Sequence, residues 1–241
     1  MAQLFAGTSG WAYPSWKPDF YPQKLAQKKF LGYYSTKLNT VEVNFTFRQL
    51  VKETTLQNWL ADSPAHFRFG VKAHQVITHI KRLKGTEDFL PRFLATIEPL
   101  AAAGRLGPVL FQLPPNLKAD PALLKDFLAV LPRTVPSAFE FRNETWFSDA
   151  TWDLLKSAGA GLCVAETETR TTPDVVTASF VYYRFRKPTY TSDERRAMID
   201  RIRQHLAEDR NVFAYFKHEE TPEGALYAVE LLQEVSGAEA V

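Results

Sequence analysis

What this chain lacks narrows its reading first. A single cysteine, Cys163, excludes a disulfide within the monomer, and its place in the apolar run 160–165 reads as a buried small hydrophobe. No apolar run approaches membrane-spanning length, and residues 1–7 carry neither the basic region nor the apolar stretch of a signal peptide. A cytoplasmic protein with no membrane partner is therefore expected. The net charge of +2 is too small to imply nucleic acid or an acidic membrane surface. The five histidines, His66, His74, His79, His205 and His218, form no HxH or HExxH spacing, so neither a metal nor a cofactor is expected. His205 reads as a helix-surface residue. The glycines after the first apolar segment fit neither a dinucleotide fingerprint nor a P-loop.

What is present is a large core and a repeating alternation. The hydrophobic fraction of 45%, the 18 phenylalanines and the absence of a compositional break favour one domain over residues 1–241. Strand-like runs are expected at 4–9, 39–44, 67–72, 108–113, 137–142, 161–166, 180–186 and 211–216. Helical periodicity fills most of the intervals, with start signals at Asp120-Pro121, Ser148-Asp149 and Ser192-Asp193. The interval after Glu166 is a threonine-rich loop with no helix signal. Eight β/α alternations predict a TIM-type (β/α)8 barrel with its sixth helix degenerate or missing.

The strands themselves favour a barrel over an open parallel sheet, because one face of each is polar where central strands of an open sheet are apolar on both. Side chains alternate along a strand with a period of two. Glu140 and Arg142 therefore lie opposite Phe139 and Phe141, Glu42 and Asn44 opposite Val41 and Val43, and Lys72 opposite Val71. Gln112 opposes Val109, Phe111 and Leu113, while Arg184 and Arg186 oppose Tyr183 and Phe185. Nearly all of these polar residues fall at the C-terminal strand ends, where barrel enzymes carry their chemistry. A structural ion-pair network inside the barrel is the alternative.

Arginine and lysine outnumber glutamate in this set, which predicts a mouth for a small anionic ligand, phosphorylated or carboxylated. Glu42, Lys72, His79 and Glu140 are the candidate catalytic residues. Ser9, Trp11, Asn44, Gln112, Arg142, Trp146, Arg184 and Arg186 are the candidate substrate-binding ones. Cations should hold both glutamates at low pKa, as bases rather than acids. That, with the separation of their strands around a barrel, counts against a glycosidase pair held about 5–10 Å apart. The segment 7–16 adds hydroxyls, glycines and the aromatics Trp11, Tyr13 and Trp16, suited to stacking or to plugging the barrel top.

Several ordered motifs resemble the YecE-like family, domain of unknown function 72. They are Gly7-Thr-Ser-Gly-Trp11 with Tyr13 and Trp16, Thr40-Val-Glu-Val-Asn44 with Thr46-Phe47, Val71-Lys72 followed by Ile77-Thr-His79, the run from Gly107 to Pro115, and Phe139-Glu-Phe-Arg142 with Trp146-Phe147. The resemblance covers nearly the whole chain and implies a TIM-type barrel with no established reaction. It also implies a polar centre at Glu42, Asn44, Lys72, His79, Gln112, Glu140, Arg142 and Arg184. Departures from the family pattern at Arg48, Arg186, Lys217 and His218 add positive charge to the expected mouth.

The expected activity is that of a hydrolase or lyase working on the anion by general acid/base chemistry, with Glu140 or Glu42 as base and Arg142 and Arg184 clamping the substrate. Two alternatives stand beside it. Lys72 could form a Schiff base as a lyase, or the cationic mouth with Trp11, Trp16 and Trp146 could bind nucleic acid without catalysis, a less favoured reading.

Overall fold

In a computed structural model, which describes residues 1–217 and 221–237, the chain forms eight parallel strands closed nearly into a barrel. The strands are β1 (Leu4–Thr8), β2 (Thr40–Val43), β3 (Arg68–Lys72), β4 (Leu106–Gln112), β5 (Ser137–Glu140), β6 (Gly161–Glu166), β7 (Phe180–Phe185) and β8 (Asn211–Phe216), hydrogen-bonded in the order β1-β8-β7-β6-β5-β4-β3-β2. Helices α1 (Phe30–Tyr34), α2 (Glu53–Ala61), α3 (Phe89–Ala102), α4 (Pro121–Val130), α5 (Asp149–Ala158), α6 (Ser192–Ala207) and α7 (Glu223–Ser236) pack outside. No helix among the described residues is long and apolar enough to cross a membrane.

Local sequence accounts for the helix starts. Asp120 accepts a hydrogen bond from Leu123 N with Pro121 in the first turn, and Ser148 accepts one from Thr151 N. Helix α6 is capped one residue earlier than its sequence signal, by a reciprocal box between Thr191 and Glu194. The crossover between β6 and β7 has no helix, as expected. Its threonines instead satisfy the backbone of β6: Thr177 Oγ1 accepts from Leu162 N and donates to Ala160 O, both at 2.7 Å, and Thr172 Oγ1 accepts from Ala165 N at 3.3 Å.

The outward strand faces and the helices build the larger core, with Val41, Phe69, Phe111 and Phe139 fully buried. Inside the barrel a second apolar cluster fills the lower half: Phe5 stacks on Phe213 at 4.7 Å, with Phe180, Leu110, Cys163 and Tyr215 around them. Cys163 is buried, as its sequence context predicts. Tyr215 reaches across to Thr40 Oγ1 at 3.0 Å and fills the space left by Gly70, where a Cβ would stand 2.5 Å from its hydroxyl.

Seven of the eight strand junctions are backbone ladders. At the eighth, between β1 and β2, side chains make the connections. Asn39 accepts from Ala6 N at 2.9 Å and donates to Leu4 O at 2.7 Å; Tyr34 accepts from Thr8 N at 2.8 Å and donates to Thr40 O at 3.0 Å. Gly7 lets the two strands approach, since a Cβ there would fall 2.0 Å from Thr40 O.

Candidate functional site

Above the apolar floor the inward positions turn ionic. Gln112 and Glu140 are register partners on β4 and β5, and Gln112 Nε2 donates to both carboxylate oxygens of Glu140 at 2.9 Å. Arg184 on β7 has the small Ala165 as its neighbour on β6, and its guanidinium spans the barrel. Nη1 bonds Glu140 Oε2 at 2.6 Å and Nη2 bonds Glu42 Oε1 at 2.7 Å, while Tyr182, two residues upstream on the same face, donates to Glu42 Oε2 at 2.7 Å. Glu42, Glu140 and Arg184 are all nearly inaccessible, at 0%, 4% and 2% exposure. The two glutamates thus share one guanidinium although their strands are far apart around the sheet, because every inward side chain points toward one axis.

Burial alone would raise the pKa of Glu42, but Arg184 and Arg186, with the hydrogen bonds from Arg184 and Tyr182, outweigh it and bring the group down to about 2. Glu140 is likewise lowered against its burial, by Arg184 and Gln112. Both are ionised at neutral pH, as the cationic composition predicts. Arg184, however, spends both terminal nitrogens on carboxylates, and its geometry is that of a bridge within the protein rather than of a clamp open to substrate.

Around and above this triad stand the remaining cations. Lys72 Nζ lies 4.3 Å from the centre of the Phe47 ring, while the salt bridges of Glu42 and Glu140 run to Arg184 and not to Lys72. Burial and then Arg184 depress Lys72 to about 8, against the pull of the two glutamates. His79 meets the same Phe47 ring edge-on at 4.9 Å, and its Nδ1 lies 2.9 Å from Thr78 Oγ1. Burial, then Lys72 and Arg142, lower its pKa, which keeps the imidazole neutral at neutral pH. Arg186 donates to Ser9 Oγ at 2.8 Å, and Asn44 Nδ2 donates to Ser9 O at 3.2 Å. Arg142 is exposed at the rim. Next to Ser9 and Asn44 opens a cavity of about 270 Å³ walled by Trp11, Tyr13, Val43, Phe45 and Trp59.

Of the residues singled out in sequence, Glu42, Gln112, Glu140 and Arg184 form one bonded group. Lys72 and His79 flank Phe47 above it, and Ser9, Asn44 and Arg186 form a second group joined to Trp11 through the cavity. Trp146 does not belong to either. It is fully buried, stacked on the outward-facing Phe141 at 4.8 Å with its Nε1 donating to Leu117 O, so it packs between strand and helix. Trp16 is also fully buried, stacked on Tyr21 at 5.7 Å. His205 is not a surface residue: it is 8% exposed, with Nε2 2.7 Å from Tyr183 Oη in the outer layer. His74 is held by Val76 N and Phe89. His218 lies outside the described residues. Tyr182, Phe45 and Trp59 are not among the sequence candidates, and Phe47 enters there only within a family motif; of the first three, Tyr182 has a clear signal, its parity with Arg184.

Among the described residues no group of three or more His, Cys, Asp or Glu side chains is arranged to hold a metal ion. The arrangement suits binding of an anion beside an amine and an imidazole that can exchange protons.

Comparison with known proteins agrees with the barrel. The chain is 28% identical over 166 residues to UPF0759 protein YunF of Bacillus subtilis, covering 65% of this chain and 58% of that protein. It is 29% identical over 147 residues to UPF0759 protein YecE of Escherichia coli K12, covering 60% and 50%. The match thus spans only 50% to 58% of these curated relatives' length. Crystal structures of DUF72 family proteins share the fold. One from Thermotoga maritima superposes with a TM-score of 0.84 at 23% identity, over 97% of this chain and 99% of that one. One from Enterococcus faecalis gives 0.78 at 17% identity, over 99% of each. A family model described as protein of unknown function DUF72 matches residues 5–241, and the chain belongs to that family.

Proposed function

We propose that the barrel mouth binds a small phosphorylated or carboxylated molecule and acts on it as a hydrolase or lyase through proton transfer. The observation that carries this reading is the surplus of cations over a carboxylate pair already bridged from within. Arg184 offsets part of the charge on Glu42 and Glu140, and Lys72 with the exposed Arg142 then exceeds what remains. An anion entering the mouth relieves that surplus. Lys72 and Arg186 are its direct partners in this reading, with Arg142 at the rim.

The proton-moving groups are Lys72 and His79. An amine at about 8 exists in both protonation states near neutral pH, and the neutral imidazole of His79, in contact with the same Phe47 ring, accepts what the ammonium donates. Glu42 and Glu140 hold Arg184 and fix the negative floor beneath the substrate, because each of their oxygens already has a donor. The test is a thermal-shift screen of the protein and of Lys72→Met and Arg186→Met against phosphosugars, inorganic phosphate and small carboxylates. A ligand at about 100 times its Kd should stabilise the wild type by roughly 2.7 kcal/mol, and the shift should shrink in both variants. Failure of every anion to shift the wild type overturns the reading.

A second reading rests on the same amine. Lys72, which forms no salt bridge to a carboxylate among the described residues, can attack a carbonyl in its neutral form and, with loss of the carbonyl oxygen as water, form a Schiff base. Borohydride trapping with small keto acids, followed by mass mapping, should then label Lys72; an unlabelled Lys72 removes this alternative. Nucleic-acid binding has less support, since two of its three proposed stacking tryptophans are sealed in the core.

A further inference from the structure

The aromatic cavity beside the mouth has no part in that chemistry, yet it is not separate from it. Ser9 and Asn44 belong to both: Ser9 Oγ accepts from Arg186, Asn44 Nδ2 donates to Ser9 O, and both residues edge the cavity. The cavity is therefore one side chain away from a cation of the mouth. Its walls are almost wholly apolar. Trp11 and Trp59 meet edge to face at 5.3 Å, Tyr13 and Val43 close the sides, and Phe45 stands at the rim with 49% of its surface exposed. A phenylalanine so exposed, directly after the strand that carries Glu42, loses water contact only when something covers it. At about 270 Å³ the space exceeds the roughly 150 Å³ that suffices to take up benzene. An apolar recess joined to a few convergent polar groups is the usual form of a site for a ligand with two unlike ends.

We propose that the ligand of the mouth is an aryl-bearing anion: a planar ring seated among Trp11, Tyr13, Phe45 and Trp59, joined by a short linker to a phosphate or carboxylate at Arg186 and Lys72. This rests on the anion reading above and adds the substrate class. The linker is short because Ser9, which edges the cavity, is bonded directly to Arg186. A simple phosphosugar fills only the charged half and leaves the aromatic half wet.

The experiment measures binding of five probes by calorimetry, with tryptophan fluorescence as a second readout: inorganic phosphate, phenyl phosphate, acetate, phenylacetate and phenol. Burying a phenyl ring should make at least one aryl anion bind about tenfold or more tightly than its parent anion, and the preferred pair distinguishes phosphate from carboxylate. Trp59→Leu, or Phe45→Ser at the exposed rim should the first variant fail to fold, should bring that ratio toward one. Arg186→Met should weaken the aryl anion and not phenol. Parent anions that bind as tightly as their aryl forms overturn this inference and leave the anion reading standing. Phenol binding as tightly as the aryl anions, with Arg186→Met having no effect, overturns the anion reading and the two-part ligand with it. No binding by any probe overturns both.

Discussion

The lower and upper halves of the barrel interior are built on the same strands and the same parity, yet they are held by opposite physics. Below, Phe5, Phe180 and Phe213 pack ring on ring with Cys163 and Leu110. Above, Glu42, Arg184 and Glu140 are as deeply buried but meet through charge. Apolar packing stabilises by removing surface from water, whereas a buried ion pair recovers at best the desolvation it incurs. The lower half therefore carries stability. The upper half carries a fixed charge pattern, retained at a place where a hydrophobic filling would hold the fold as well.

The sharpest way to break this contrast is Arg184→Ala. It leaves two carboxylates buried without their cation and should destabilise by about 3–5 kcal/mol at pH 7, read by chemical denaturation. Glu42 has a folded pKa depressed to about 2, so its contribution is full above its unfolded value near 4.5 and is lost as pH falls toward 2. The difference between wild type and Arg184→Ala should accordingly narrow on acidification. Phe213→Ala in the lower half should cost a comparable or slightly smaller amount, about 3–4 kcal/mol, with no such narrowing over the same pH range. If both variants respond alike to acid, the two halves are not held differently.

A double test sharpens it further. Replacing Glu42, Arg184 and Glu140 together by Leu, Met and Leu should destabilise less than Arg184→Ala alone, because it removes the charges and their desolvation together and leaves only the donors of Tyr182 and Gln112 without acceptors. The smallest effect is Lys72→Met. The ammonium is disfavoured where it stands, so below about pH 8 the variant should be more stable than wild type by roughly 1–2 kcal/mol after allowance for partial exposure. Between about 8 and the unfolded value near 10.5 the wild-type amine sheds its proton and the gap should close, visible as converging melting temperatures.

Much of this interior was legible in the sequence because period-two alternation states which residues share a face. Glu42, Lys72, Gln112, Glu140 and Arg184 were all placed inward on that basis, and barrel geometry brought them together. Parity does not state how far a side chain reaches. That Arg184 would take both glutamates depends on Ala165 being small beside it and on the axis being only a side chain away from every strand. Loop aromatics were less legible still. Trp11 and Trp146 both follow a strand end, but Trp146 enters a short helical turn that rotates it onto Phe141, whereas Trp11 turns toward Trp59 at the mouth. Side chains in a loop have no period, so only tertiary packing decides which side of the strand they take.

The junction between β1 and β2 has a consequence for how the barrel breathes. Where backbone ladders join strands, an amide is released only when a run of neighbouring bonds opens with it. At this junction the amide protons of Ala6 and Thr8 are each held by one side-chain oxygen, that of Asn39 and that of Tyr34. Because Tyr34, Ala6 and Thr8 are fully buried, either proton reaches solvent only when Asn39 or Tyr34 leaves its place and β1 parts from β2, which the other seven junctions need not follow. Those two amides are therefore clocks for the opening of the barrel wall nearest Ser9, and their exchange rates measure how often the cylinder becomes, for a moment, an open sheet.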